Sequence, residues 1–380
     1  MRRNERIDRM ASDCVHFKSN RPCKPHEIHG QTCRCSAYCP RSSRQLFIQL
    51  SSAAEVIRSL ALVARIKEDD PESRIAYLTS FPELLPGSVD EPLDFDAGNV
   101  LRCQQDQFDH LYNLDLDKRA CAITNVIPAD RKKGFHLQRG QCVPIDEDSQ
   151  AYYLQQILPQ ACEQEYHNPL QDLFCVCGLE YRSERSWLKL SVNKQENDRE
   201  NNNLVVGIHT IRDWYGEAKS YWDLDRWELL IEMLRQHEIQ PILLGDRDAD
   251  LMNRQIARRC NIEYDGACSL KRLLTTVYNC DVVVGTSGMA VEMALALGRD
   301  VVLLQDTSSL KLDRRYLRNK GSIVDAAEGS GEKGILAELM PEQVLQAIQE
   351  RQQHIRSESR ISSATSSSYN RKIHSPAKNV

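Results

Sequence analysis

Residues 281–305, DVVVGTSGMAVEMALALGRDVVLLQ, constrain the fold more than any other stretch. Val282, Val283 and Val284 form a β-branched run, the composition of a strand buried in a parallel sheet. Gly285, Thr286, Ser287 and Gly288 then turn the chain. Residues 289–297 are apolar and predict a helix, with Gly298 placed to end it as a C′ glycine. Residues 301–304 read as the next strand. The small polar turn lies where the helix begins. The unpaired backbone N–H groups of Ser287, Gly288 and Met289, with Thr286 beside them, are therefore expected to hold an anion such as phosphate. Glu292 lies one turn into the helix in apolar company. It is expected to face the crevice at the carboxyl edge of the sheet, where α/β proteins bind ligands. The plain alternative is a helix that packs on its sheet and binds nothing.

The chain of 380 residues has room for two domains of ordinary size. In the first half, residues 45–50 (QLFIQL) read as a strand and Ser51, Ser52, Ala53 and Ala54 as a turn. Residues 55–67 read as an amphipathic helix with Val56, Leu60, Val63 and Ile66 on one face, and residues 74–79 as a strand. This βαβ unit lacks a glycine fingerprint, so dinucleotide binding is not supported. Residues 85–106 read as irregular, and 108–114 as a third strand ending at Asp115 and Asp117. Helices follow at 118–126, 151–159 and 169–178, with short extended pieces at 134–135 and 142–145. Residues 193–203 are strongly polar and read as a domain linker. Residues 204–208 restart as a strand that leads into His209 and Thr210, followed by a loop holding Arg212 and Lys219. Further βα alternation runs through helices at 224–236, 251–260 and 270–279, the last with Ser269 as its N-cap, and a strand at 239–244. A strand at 321–324 and a helix at 341–352 close the array. The expected organisation is α/β: a Cys-rich segment at 1–40, two facing Rossmann-like domains at 41–194 and 204–355, and a Ser-rich disordered tail at 356–380.

Charge excludes some functions. Residues 1–45 carry a balance of +6 and residues 351–380 of +5, so with a net charge of -5 the span between them carries -16. An acidic body with basic ends argues against a nucleic-acid binder. The basic ends invite peripheral contact with an anionic membrane surface; the plainer reading is solvated tails. No apolar run approaches a membrane span, and the charged N-terminus lacks the apolar core of a secretory signal. A cytoplasmic protein, peripheral at most to the inner face of the plasma membrane, is the expectation.

Five of the fourteen cysteines crowd into residues 14–39, at spacings of nine, ten, two and four. The segment has too few aliphatic residues to fold on a core of its own, and a metal held by thiolates would supply the stability. Cys14, Cys23, Cys33 and Cys35 are the first choice of ligands, with Cys39 or a histidine as substitute. Zinc or an iron–sulfur cluster fits such donors. The alternative is unligated or redox-active cysteines.

Several motifs, in order, resemble the glycosyltransferases of family nine, the group that contains the lipopolysaccharide heptosyltransferases. The family's Leu-Gly-Asp loop after the first strand matches Leu50 to Ile57, with Ala54 for its glycine and Glu55 for its aspartate. Asn113-Leu114-Asp115 and Gly134-Phe135 are similar to its Asn-Leu-Asp and Gly-Phe pairs. Residues 207–227 resemble its strand, phosphate loop and Lys-x-Trp segment, with Lys219 as the lysine and one extra residue before Trp222. Leu243-Leu244-Gly245 is similar to its strand end. Residues 285–298 resemble its Asp-Ser-Gly signature, although Thr286 or Ser287 replaces the aspartate. The signature histidine falls on Glu292 counted back from Gly298, and on Val291 counted forward from Gly288. The N-terminal segment is similar to extensions of some bacterial members, with Cys14, His16, Phe17, Arg21, Pro22, Cys23, His26, Gly30 and Cys33 matching and the final Cys pair shortened to Cys33 and Cys35.

The resemblance implies a GT-B fold and inverting transfer of a sugar, heptose among the candidates, from a nucleotide-diphosphate sugar to a glycan or glycolipid acceptor in lipopolysaccharide biosynthesis. Glu55 is then the candidate base, against the alternative of a helix-start glutamate stabilised by the dipole. Arg212 and Lys219 are candidates for the diphosphate, His209 and Thr210 for hydrogen bonds to phosphate, and Glu292 for the ribose hydroxyls. Asp115 is a candidate to orient the acceptor, or a structural strand-end aspartate. The scheme requires no cofactor for catalysis. Two other readings fit the departures from the signature: a non-catalytic GT-B-like protein that binds a nucleotide sugar or a partner, and a nucleotide-sugar epimerase of similar architecture.

Overall fold

The computed structural model describes residues 10–18, 21–30, 32–40, 42–158, 166–188, 203–210, 222–286, 288–305, 311–326 and 336–373. The chain divides into two compact units, Met1–Glu163 with Asn168–Trp187, and Gln164–His167 with Leu188–Val380.

The first unit is built on strands β1 (Arg44–Gln49), β2 (Arg74–Thr79), β3 (Glu91–Asp94), β4 (Phe108–Asn113), β5 (Ala129–Gln138) and β6 (Gln141–Pro144). They lie in the order β3-β2-β1-β4-β5-β6, parallel except for the antiparallel pair β5–β6. The helix Ala53–Asp69 buries Val56, Leu60, Val63 and Ile66, the face its spacing predicts. Each such side chain contributes about 1.5–3 kcal/mol on leaving water. Residues 85–106 are not irregular as expected. They hold β3 and the helix Ala97–Gln105. In β3 Glu91 and Leu93 are buried and Pro92 and Asp94 exposed, an alternation that an edge strand tolerates even with proline. Asp96 caps the helix by accepting from Asn99 N at 2.8 Å. The extended pieces at 134–135 and 142–145 belong to the β5–β6 hairpin.

The second unit contains β7 (Tyr166–His167), β8 (Val205–His209), β9 (Gln240–Leu243), β10 (Val282–Gly285), β11 (Asp300–Gln305), β12 (Lys311–Leu312) and β13 (Gly321–Asp325). Its main sheet runs β13-β11-β10-β8-β9, all parallel, and β7 pairs with β12 apart from it. Val282 and Val284 are fully buried among Val206, Ile208, Val302 and Leu304. Trp222 packs edge-to-face on Trp227 with ring centroids 4.7 Å apart, and its indole Nε1 donates to Leu339 O at 2.9 Å. Ser269 caps the helix Leu270–Asn279, and Gly298 has the left-handed φ of +68° that its place after a helix requires.

The closing helix is longer than expected, Pro341–Ile373, so the disordered tail expected at 356–380 is corrected through residue 373. Residues 353–373 contain no glycine or proline to stop the helix. Glu358 also ties its middle down through Lys320 Nζ at 2.6 Å, and pairs within the helix with His354 Nε2 at 3.2 Å. Residues 374–380, and the linker expected at 193–203 except Asn203, lie outside the described residues. Among the described residues no helix is long and apolar enough to cross a membrane.

Candidate functional site

In the first unit the strand order reverses between β1 and β4, and ligands of open α/β sheets bind at the carboxyl ends of such neighbours. Asp115 organises this edge. It is 4% exposed, its Oδ2 accepts Leu50 N and Ser51 N at 2.8 Å each, and its Oδ1 accepts Ser51 Oγ at 2.9 Å and Asp117 N at 2.8 Å. The carboxylate is thus spent on the loop between β1 and its helix, the arrangement of the structural alternative. Asn113 supports it from behind: its Oδ1 accepts Asp115 N at 3.1 Å and its Nδ2 donates to Phe135 O at 2.7 Å. That pairing needs Gly134. Its φ is +92°, and a Cβ there would lie 1.8 Å from Asn113 O. Two motifs about twenty residues apart in sequence are therefore one structural device.

The loop delivers Glu55 into the first turn of the helix Ala53–Asp69, where Ser52 Oγ accepts Glu55 N at 3.4 Å. The Glu55 carboxylate pairs with Arg58 one turn on, and the side chain is 25% exposed. A quarter-exposed carboxylate at the carboxyl edge is accessible to a substrate hydroxyl, which a candidate base requires.

In the second unit the order reverses between β8 and β10. His209 ends β8 in register with Gly285 at the end of β10, and the turn to Gly288 follows. A Cβ on Gly285 would lie 3.0 Å from His209 O and 3.1 Å from His209 Cβ, so glycine permits this approach. Gly288 is the N-cap of the helix Met289–Ala296, and among the described residues no side chain caps it. Its first N–H groups and the positive end of its dipole lie at this strand edge. Glu292 is 4% exposed and its Oε2 accepts Tyr316 Oη at 2.5 Å. Thr286, Gly288, Met289, Glu292, His209 and Thr210 thus gather at one strand edge. Ser287, Arg212 and Lys219 lie outside the described residues.

Thr210 differs from the expected role. Its hydroxyl donates to Asn253 Oδ1 at 2.6 Å, and Asn253 Nδ2 donates to Leu244 O at 2.9 Å. The Leu244 carbonyl fixes which way the amide faces, so the Thr210 proton is committed and only lone pairs remain for a ligand. A phosphate hydrogen bond from Thr210 Oγ1 is excluded in this arrangement. His209 gains a partner that its sequence context did not reveal. It is fully buried, and its Nε2 lies 2.8 Å from Asp246 Oδ2. Burial pushes the Asp246 carboxyl up, but hydrogen bonds from His209 and from the backbone of Ala249 and Asp248 outweigh it, and the group sits below the usual carboxylate range. The available signal was position: Asp246 follows the Leu-Leu-Gly end of β9, the neighbour of β8.

Cys14, Cys23, Cys33 and Cys35 line one small cavity together with His16. Cys39 is turned to Glu72, to whose Oε2 its thiol donates at 3.0 Å. Among the described residues no three His, Cys, Asp or Glu side chains stand where they could hold a metal ion together.

No family model matches the sequence, and no curated protein matches it. Solved structures do match the fold. Over 82% of this chain and 97% of the other, a glycosyl transferase of family 9 from Veillonella parvula aligns with a TM-score of 0.59 at 11% identity. The E. coli ADP-heptose LPS heptosyltransferase II aligns at 0.58 and 17% identity, over 81% and 98%. The E. coli heptosyltransferase WaaC with ADP aligns at 0.52 and 13% identity, over 82% and 98%. The fold is that of the GT-B glycosyltransferases. Within that class it is similar to the heptosyltransferases and the family 9 enzyme just described.

Proposed function

We propose that the protein is a glycosyltransferase that moves a sugar, heptose among the candidates, from a nucleotide-diphosphate sugar to a glycan or glycolipid acceptor with inversion. The observation that carries this reading is the gathering of His209, Gly285, Thr286, Gly288, Met289 and Glu292 at the strand-order reversal of the second unit, in a chain with the GT-B fold. The uncapped helix start suits the diphosphate and the buried Glu292 the ribose hydroxyls, with Arg212 and Lys219 adding positive charge. Glu55 accepts the acceptor's proton as its oxygen attacks the anomeric carbon, and the bond to the diphosphate oxygen breaks with its electron pair. No catalytic step needs a metal. The basic ends of the chain suit an acceptor at an anionic membrane surface.

The Cys-rich segment serves stability in this reading. Cys14, Cys23, Cys33 and Cys35 line one cavity without standing together as ligands, so a structural zinc or iron–sulfur cluster there requires their thiolates to close on it, and the Glu72 contact sets Cys39 aside.

The test is a melting-temperature screen of the purified chain against ADP, UDP, GDP and CDP and their sugars. A ligand at a hundred times its dissociation constant adds about 2.7 kcal/mol, a shift of several degrees. Glu55→Gln should then abolish transfer and leave donor affinity nearly unchanged. No shift with any diphosphate at millimolar concentration would move the reading to a GT-B-like partner-binding protein.

A further inference from the structure

His209 has one ring nitrogen to spare. Its Nε2 is engaged by Asp246, while Nδ1 is buried and has no hydrogen-bond partner among the described residues. A polar atom shut away from water without a partner is costly, and such atoms in native structures mark a ligand or an ordered water.

Asp246 determines what that nitrogen can bind. Its Oδ1 accepts Ala249 N at 2.7 Å and its Oδ2 faces the imidazole, so Nε2 carries a hydrogen. With Nε2–H given to Asp246, Nδ1 becomes a donor when the ring takes up a second proton, and an anion at Nδ1 opposite the Asp246 carboxylate is the arrangement that would hold that proton. The other groups at this edge point the same way. Thr210 has no proton to give. Gly285 admits the close approach of His209, and the helix Met289–Ala296 begins four residues later with no side-chain cap among the described residues. The donors this edge can offer a ligand are backbone N–H groups and, once the ring carries its second proton, His209 Nδ1–H, and both suit an anion.

We propose that Asp246 is a positioning residue that holds His209 with its Nδ1–H toward an anion, and that this pair binds the diphosphate of the donor. The assignment rests on the donor-site reading given above and adds to it a contact in a part of the edge that the signature motif does not cover. Asp246 acts only through His209.

The experiment follows the histidine nitrogens of the full chain by 15N NMR, with His209 assigned by its loss in His209→Asn. The probes are inorganic pyrophosphate and, separately, ADP, UDP, GDP and CDP. Pyrophosphate and at least one nucleotide should move His209 Nδ1 to the position of a protonated, hydrogen-bonded nitrogen. Asp246→Asn should abolish that change and weaken binding roughly ten- to a hundredfold, the effect of losing one charge-assisted hydrogen bond. If the variant fails to fold, the parent titration alone decides, because the His209 signal either follows the probe or does not. A nucleotide that raises the melting temperature without moving His209 overturns the assignment and leaves the donor-site reading standing. Pyrophosphate that moves His209 when no nucleotide binds upholds the pair as a diphosphate site and overturns the nucleotide reading. A His209 signal that responds to no probe overturns the pair.

Discussion

Asp115→Asn separates a structural aspartate from one that touches the acceptor. The carboxylate accepts four hydrogen bonds, from Leu50 N, Ser51 N, Ser51 Oγ and Asp117 N. An amide of the same shape has one oxygen fewer. With its NH2 at the Oδ2 position it would oppose two backbone N–H groups. With its NH2 at the Oδ1 position it opposes Asp117 N–H, while the Ser51 hydroxyl rotates to accept from it. The second orientation is the cheaper, and it still costs one bond, leaves one buried donor facing another and removes the charge from the bonds that remain. Hydrogen bonds to charged groups contribute about 1.5–3 kcal/mol each, and an unsatisfied buried donor costs about 1–3 kcal/mol, so a loss of about 3 kcal/mol is expected. For a unit of this size that lowers the melting temperature by roughly 6–12 °C. Calorimetry of the full chain reads it as a downward shift of the first unit's transition, with the second unit's unchanged. Transfer activity should fall too, because the loop that Asp115 holds leads directly to Glu55. A shift of less than about 2 °C with transfer abolished would refute this reasoning and return Asp115 to the acceptor.

Three further outcomes are expected. Gly134→Ala places a Cβ 1.8 Å from a backbone oxygen at a φ of +92°, where no side chain can yield, so it should cost at least about 3 kcal/mol and lower soluble yield; parent-like melting would contradict it. The purified chain should hold about one metal equivalent, lost in Cys14→Ser and in Cys23→Ser, and a metal-free preparation that is nevertheless stable would defeat the metal assignment. The Asp246 carboxyl lies below its ordinary range, so its stabilising contribution is complete above about pH 4 and is lost as pH falls through the folded-state value. The gap in stability between the parent and Asp246→Asn should therefore be widest near neutrality and close in acid; a gap independent of pH would show that the charge contributes nothing.

The parts of the fold legible in the sequence were those where one local force dominates. The Val282–Val284 run announces a doubly buried strand, and Ser269 and Gly298 mark helix ends by chemistry that needs no tertiary contact. β3 was not legible, because a four-residue edge strand with two inward side chains carries almost no pattern. β5 was hidden for a related reason: in ADRKKGFHLQ only Gly134 and Phe135 are buried, so the hairpin is specified by its pairing with β4 and β6 and not by its own hydrophobicity. The length of the closing helix was legible in the absence of glycine and proline before Pro376, but serine content masked it. Of the site, the small-residue turn and Glu292 could be read because they follow a strand. The Glu55–Arg58 pair was available from its spacing of three. The bonds from Asp246 to His209 and from Thr210 to Asn253 join residues 37 and 43 positions apart, and only the parallel neighbourhood of β8 and β9 brings them together.

The Trp222–Leu339 bond sets an order of events during synthesis. All strands of the first unit's sheet have been made by Pro144, and the helix Pro169–Val176 soon follows. The second unit cannot close its core until Val344 and Ile348 arrive to cover Trp222 and the valine strands. At the ribosome's pace of about 5–20 residues per second the first unit has roughly ten to thirty seconds of head start. Once made, β8 and β10 wait uncovered for the rest of that interval. The unit proposed to hold the nucleotide is thus the one for which a nascent chain most needs chaperones, and a stop codon before Val344, in the first turn of its last helix, removes both covering side chains.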